Sequence, residues 1–205
     1  MKGLLLKDFY TIFKQTKIFL VLILVFSVMP GYNMAAFAVM YASFLPITAL
    51  AYDERSKWGT LAAMMPYSYR QLFMSKYVLG YCTMAGAAVL AFIVQTFLAA
   101  IRHQALSAEE WMTLVVVMCI SVILQAILLP VMFKAGVEKG RLVFYGMVGG
   151  IVLAGTFLSS RLTNTLENAA ELRLSAVLPV LLAVAVAINV ISMTVSARIY
   201  RTKEV

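Results

Sequence analysis

Long apolar runs separated by short polar segments constrain this chain more than any other feature of its sequence. A bilayer core about 30 Å thick is crossed by about 20 helical residues, because a helix satisfies its own backbone polar groups in lipid. Most of the runs approach that length, whereas the first is shorter and ends at a Pro-Gly pair. They predict six membrane spans, at residues 18–29, 34–52, 77–101, 111–133, 142–160 and 174–197.

The predicted fold class is all-α: a six-transmembrane-helix bundle that forms a single transmembrane domain over residues 1–205. Composition supports a membrane environment, because 63% of the residues are hydrophobic and only 13% are charged. Soluble domains average about 45–50% apolar and about 25% charged residues. Pro46 lies inside the second run and predicts a kink there.

Lysine and arginine are distributed unequally between the two ends of the predicted spans. Fourteen of the 17 lie on the side that carries both ends of the sequence, and the other three are Arg102, Arg161 and Arg173. Basic residues concentrate on the cytoplasmic side of membrane proteins. Both ends of the sequence and the loop at 53–76 are therefore predicted to be cytoplasmic. The net charge of +8 indicates topology and does not indicate a nucleic-acid partner.

Residues 1–17 predict an amphipathic helix that lies in the membrane interface. Its predicted apolar face carries Leu5, Phe9, Ile12 and Phe13, and its polar face carries Lys7, Thr11 and Lys14.

The loop at residues 53–76 has a pattern of its own. Either Asp53 or Ser56 is predicted to cap a short helix. The apolar face of that helix has the spacing i, i+3, i+4, i+7 and carries Trp58, Leu61, Ala62 and Met65. Pro66 ends it, and Ser68 with Gln71 predicts a capping box at the start of the next helix. An amphipathic helix with no core beneath it indicates a docking site for another protein.

Several kinds of chemistry lack the residues that they require. The sequence has no Gly-x-x-x-x-Gly-Lys-Ser/Thr motif and one histidine, His103. Nothing therefore predicts an enzyme, a metal site or a cofactor bound by this chain. The predicted spans also carry no charged residue at depth, which disfavours an ion-coupled transporter.

Neutral polar residues do lie deep in the predicted spans. Those singled out as a possible substrate path are Thr48, Gln95, Gln125 and Asn189. The alternative interpretation is that they form hydrogen bonds between helices. The sequence leaves both interpretations open.

Three segments of the loop, Tyr52–Trp58, Pro66–Gln71 and Ser75–Tyr77, together with the opening Met1–Tyr10, resemble the bacterial ABC-2 type permeases. These are the membrane subunits of ATP-driven exporters. The resemblance implies a multi-pass protein of the bacterial cytoplasmic membrane, paired with a second copy or a paralogue. It also implies a separate ABC ATPase subunit that binds ATP and Mg.

In that family the cytoplasmic loop between spans 2 and 3 forms a coupling helix. The residues here that the resemblance assigns to contact with the ATPase are Asp53, Glu54, Lys57, Trp58, Leu61 and Met65. The family includes exporters of toxin and antimicrobial peptides, and the neutral, apolar interior suits amphipathic or hydrophobic substrates. A non-transporting membrane scaffold or sensor subunit remains the alternative function.

Overall fold

The computed structural model describes residues 2–15, 17–29, 32–101, 108–143, 145–146 and 174–203. All regular secondary structure in these residues is helical, as predicted. The helices are α1 (Lys2–Gln15), α2 (Lys17–Val28), α3 (Tyr32–Ala42), α4 (Leu45–Arg55), α5 (Trp58–Ala63), α6 (Tyr69–Ile101), α7 (Ala108–Ala135), α8 (137–143) and α9 (Leu174–Lys203).

Within the described residues, four helical stretches are long and apolar enough to cross a membrane. They are Ala36–Arg55, Tyr69–Ile101, Met112–Ala135 and Leu178–Thr202, and they correspond to the second, third, fourth and sixth predicted spans. The first predicted span is α2, whose 12 residues extend only about 18 Å. Most of the fifth predicted span, 142–160, lies outside the described residues. The count of six spans therefore stays a prediction.

The predicted kink in the second span is a break between α3 and α4. The amide of Ser43 donates to the carbonyl of Met40 at 3.2 Å, and the amide of Phe44 donates to the carbonyl of Tyr41 at 3.1 Å. Pro46 follows within the first turn of α4. Proline lacks an N–H group and its ring clashes with a continuing helix, so the break before it has a direct cause.

The helices α1 and α2 run beside α6 in a common direction. Asp8 contacts Lys76, and the Gln95 amide donates to the carbonyl of Ser27 at 3.3 Å. Asp8 and Ser27 are 19 positions apart, as are Lys76 and Gln95. The spacing between the two contacts is the same on the α1–α2 segment as on α6, so the segment runs alongside α6. The helix α1 therefore packs along the bundle rather than across its end. Its predicted location in the membrane interface stays a prediction.

The buried face of α1 differs from the predicted one. Leu4, Asp8 and Ile12 are buried, whereas Phe13 is exposed. Residues at i, i+4 and i+8 share one face of a helix, so this face is continuous, with a carboxylate at its centre. The predicted apolar face was wrong at Phe13, which lies off the row formed by Leu4, Asp8 and Ile12.

A close approach of α6 and α7 occurs at Gly80. A β-carbon at Gly80 would overlap the Gln125 side chain, which donates from Nε2 to the carbonyl of Tyr77 at 3.3 Å. Gln125 is fully buried, so it has little room to move. By contrast, a β-carbon at Gly86, on the same helix, meets no described atom within 4 Å.

We expect Gly80→Leu to destabilise the protein, because the added side chain forces α6 and α7 apart. Overpacking of a tight interior costs about 1–3 kcal/mol. The midpoint of thermal unfolding in detergent measures the effect, with Gly86→Leu as the matched control on α6. Equal midpoints for the two variants would contradict close packing at Gly80.

Candidate functional site

Four charged side chains from three helices meet where α1, α4 and α6 come together. The Lys7 ammonium lies 2.6 Å from Asp53 Oδ1 and 3.0 Å from Asp8 Oδ1. The Lys76 ammonium lies 2.7 Å from Asp8 Oδ1 and 2.5 Å from Asp53 Oδ2. Each carboxylate therefore contacts two ammonium groups and each ammonium contacts two carboxylates. We call these four residues the charge cluster.

The side chains of the charge cluster are buried to different extents. The side chains of Asp8 and Lys76 are 1% and 5% exposed, whereas that of Lys7 is 25% exposed. Asp8 Oδ2 is buried and has no hydrogen-bond partner among the described residues. A buried charge without its counter-ion is costly, so the charge cluster holds α1 and α4 against α6.

The helix α5 follows directly and contacts α1 through Trp58. The Lys7 ammonium lies 4.3 Å from the centroid of the Trp58 ring, a cation–π contact. Ala62, one turn later, is buried. The N-cap of α5 is Lys57, which has a left-handed backbone (φ 53°) and forms no side-chain cap. The predicted caps were wrong, because the Asp53 carboxylate is bound by lysines and the Ser56 hydroxyl donates to the Asp53 carbonyl.

Glu54 joins the end of α4 to the turn between α7 and α8. Its Oε2 accepts a hydrogen bond from the Val137 amide at 2.8 Å, which caps the first turn of α8. Gly136, immediately before, has a φ of +81°, and a β-carbon there would lie 3.0 Å from Glu54 Oε1. The left-handed backbone conformation favours glycine at this position.

The surface of α5 and of the turn after it is apolar where it faces away from the bundle. Leu61 is 50% exposed and Met64 is 85% exposed, and Met65 is also exposed. Exposed basic residues border this patch: Arg55, Lys57 and Arg70. We call Leu61, Met64 and Met65 the α5 patch.

The six residues predicted to contact an ATPase divide into two groups. Lys57, Leu61 and Met65 are exposed. Asp53 and Trp58 are partly buried and make contacts within the chain, and Glu54 is exposed but also accepts a hydrogen bond from Val137. Their role in coupling stays a prediction. Sequence reasoning missed Asp8 and Lys76, which hold this region to the bundle.

A family model described as ABC-2 family transporter protein matches residues 3–201. The chain belongs to the ABC-2 transporter family. No curated protein and no solved structure matches the chain. Proteins of this family are membrane-embedded permease components of ABC transporters, and the ATPase activity lies in a separate subunit.

The residues predicted to line a substrate path in this ABC-2 permease are engaged in hydrogen bonds. The Thr48 hydroxyl donates to the carbonyl of Phe44 at 3.1 Å, within α4. Gln125 donates to the carbonyl of Tyr77, and Gln95 donates to the last carbonyls of α2. These contacts support the alternative interpretation of helix-to-helix hydrogen bonding at Gln95 and Gln125.

Asn189 has a different environment. Its Oδ1 accepts a hydrogen bond from the Tyr81 hydroxyl, which joins α9 to α6. It also borders an apolar cavity of about 480 Å³ whose walls come from α6, α7 and α9. Of the four predicted path residues, Asn189 alone lines this cavity.

A second polar contact between helices was missed by sequence reasoning. The Tyr77 hydroxyl lies 2.5 Å from Ser192 Oγ and 2.9 Å from Ser196 Oγ. Ser192 also donates to the carbonyl of Ala126. These hydrogen bonds connect α9 to α6 and α7.

In the part of the chain that the structure describes, no group of three or more His, Cys, Asp or Glu residues is placed to hold a metal ion.

Proposed function

We propose that this chain is the permease subunit of an ABC exporter, and that a separate ABC ATPase docks on its α5 patch. The α5 patch is the observation that supports the proposal most. Leu61 and Met64 are exposed apolar side chains on a helix that Trp58 connects to Lys7 of α1. Apolar side chains at the centre of an interface, with a polar rim, are typical of protein docking sites. Lys57, Arg55 and Arg70 supply that rim.

Movement of the ATPase would reach the membrane helices by two direct connections. Two residues, Ser56 and Lys57, separate α5 from α4, and a short turn separates it from α6. The remaining predicted coupling residues support this connection: Asp53 anchors the end of α4 to α6, and Glu54 anchors it to α8. A push on α5 is therefore transmitted to α4 and α6 together.

Amphipathic or hydrophobic substrates, peptides foremost, fit the transport proposal best. Apart from the charge cluster, the buried polar side chains of the described helices are neutral amides and hydroxyls, and Asn189 lines an apolar cavity. Such an interior suits a substrate that carries its own apolar surface. Export out of a bacterial cell, pairing with a second copy or a paralogue, and ATP and Mg bound only by the partner ATPase are parts of the same proposal.

Reconstitution in vesicles tests the function directly. The permease is combined with the ABC ATPase that co-purifies with it, and uptake of a fluorescent cationic amphipathic peptide into inside-out vesicles is followed. We expect uptake to require ATP hydrolysis and to be lost with a catalytically inactive ATPase. A complex that binds the ATPase but gives neither uptake nor substrate-stimulated hydrolysis with any amphipathic substrate would favour the scaffold or sensor alternative.

The predicted topology has a separate test. Single cysteines at positions 103, 164 and 203 are introduced into a Cys82→Ser, Cys119→Ser background. We expect an impermeant maleimide to label positions 103 and 164 on intact cells, and to label position 203 only after lysis. Positions 103 and 164 lie outside the described residues. The reverse pattern of labelling would overturn the cytoplasmic placement of both ends.

A further inference from the structure

One side chain, Lys7 of α1, contacts both α4 and α5 in the proposed coupling region. Its ammonium lies 2.6 Å from Asp53 at the end of α4, 3.0 Å from Asp8 on α1 and 4.3 Å from the Trp58 ring centroid on α5. The helices α1 and α5 are far apart in the sequence, because 42 residues separate Gln15 from Trp58. The contact of Lys7 with Trp58 is therefore a direct bridge between these two helices.

Within the charge cluster, Lys7 is the more dispensable of the two lysines for folding. Lys76 alone contacts both carboxylates, at 2.7 Å from Asp8 and 2.5 Å from Asp53. Lys76 is also the more buried of the two lysines. Loss of Lys7 thus leaves each buried carboxylate with a counter-ion. What Lys7 adds, and Lys76 does not, is the cation–π contact with Trp58.

From this geometry we infer that Lys7 is a positioning residue for coupling: it holds α5 on α1 through the Trp58 ring, so that α1 moves with α5. A cation over an indole ring contributes about 0.5–1 kcal/mol at an exposed site and about 2 or more when desolvated. The same ammonium is fixed by Asp53 and Asp8, so it resists displacement when α5 is pushed. Because Asp8 of α1 contacts Lys76, a shift of α1 is also passed to α6.

Trp58 itself reports on the contact without any ATPase. In a Trp111→Phe background it is the single tryptophan of the chain. We expect Lys7→Met to increase quenching of Trp58 fluorescence by acrylamide about two-fold or more, because loss of the cation–π contact releases α5 from α1 and makes the ring more accessible. Lys7→Arg keeps a cation on the ring and on the carboxylates, so it is expected to restore the wild-type quenching.

Lys14→Met is the matched control. Lys14 lies on the same helix, and its cation–π contact is with the neighbouring Tyr10 ring, at 5.6 Å. In the reconstituted complex, we expect Lys7→Met to lower the number of substrate molecules moved per ATP hydrolysed about five-fold or more, because α5 is no longer held on α1. Lys14→Met should leave that ratio unchanged, and Lys7→Arg should recover it.

Two outcomes overturn the role of Lys7. The first is unchanged quenching of Trp58 in Lys7→Met, which would show that the contact does not hold in solution. The second is altered quenching with a transport-to-hydrolysis ratio equal to that of Lys14→Met. The role rests on the proposed function, but its failure is distinguishable from failure of that function, because wild-type protein would still bind the ATPase and transport.

Discussion

Replacing Lys76 with methionine is expected to lower the free energy of unfolding by about 3 kcal/mol. The change leaves the buried Asp8 carboxylate without its nearest counter-ion, at 2.7 Å. Removing one partner of a buried ion pair costs about 3–5 kcal/mol, and the lower value applies because Lys7 stays 3.0 Å from the same oxygen. For a chain of this length, the melting midpoint should fall by roughly 6–12 °C.

Thermal unfolding in detergent, followed by size-exclusion chromatography of the folded fraction, measures this effect. Lys14→Met serves as the matched control, because Lys14 is exposed on α1 and belongs to none of the ion pairs in the charge cluster. The double variant Asp8→Asn, Lys76→Met removes both buried charges and should recover at least half of the loss, because Asp53 and Lys7 remain paired. A midpoint for Lys76→Met within about 2 °C of the control would show that the charge cluster does not hold these helices together.

The long helices were predictable because each of them is apolar over most of its length. The third predicted span begins at residue 77, but Ser68 with Gln71 predicted that its helix starts before the apolar run, and α6 does begin at Tyr69. The eight extra residues include Arg70, Gln71 and Lys76, which end an apolar run without ending a helix. A hydropathy pattern locates the apolar part of a helix, but backbone hydrogen bonds continue into polar sequence.

The charge cluster was not predictable by the same reasoning. Asp8 and Lys76 are 68 residues apart, and nothing local links them. One signal was present: Asp8 lies between Leu4 and Ile12 at i+4 spacing, so a charge stands in the middle of an apolar row. Such a charge requires a buried counter-ion, since an isolated buried carboxylate is strongly unfavourable. The pairing itself comes only from the way in which α1 lies beside α6.

Contacts of side chains with distant backbone escaped prediction for a related reason. Glu54 was assigned to the docking surface, and its carboxylate caps α8 at Val137, 83 residues away. Gln125 was considered for a substrate path, and its side chain fills the space that Gly80 leaves. In both cases the partner of the side chain depends on tertiary packing, which the local sequence does not contain.

The second large effect is expected on the α5 patch. Met64→Asp and Leu61→Asp should each weaken ATPase binding by at least about 30-fold. Truncation of a central interface residue costs about 2 kcal/mol or more, and about 1.4 kcal/mol corresponds to a factor of ten. A carboxylate adds the cost of burying an unpaired charge at the interface. Neither change should affect folding, because both side chains are exposed, Met64 at 85% and Leu61 at 50%.

Affinity for the ABC ATPase is measured with the tagged permease in nanodiscs, at matched protein concentration. Met64→Leu is the matched control, since it keeps an apolar side chain of similar size at the same position, and it should bind like wild type. Together the variants separate docking from anchoring: the α5 patch determines whether the ATPase binds, and the charge cluster determines whether the bound helix is held to the bundle. Wild-type affinity in both aspartate variants would mean that the exposed surface of α5 faces lipid headgroups, and that the ATPase docks elsewhere on the permease.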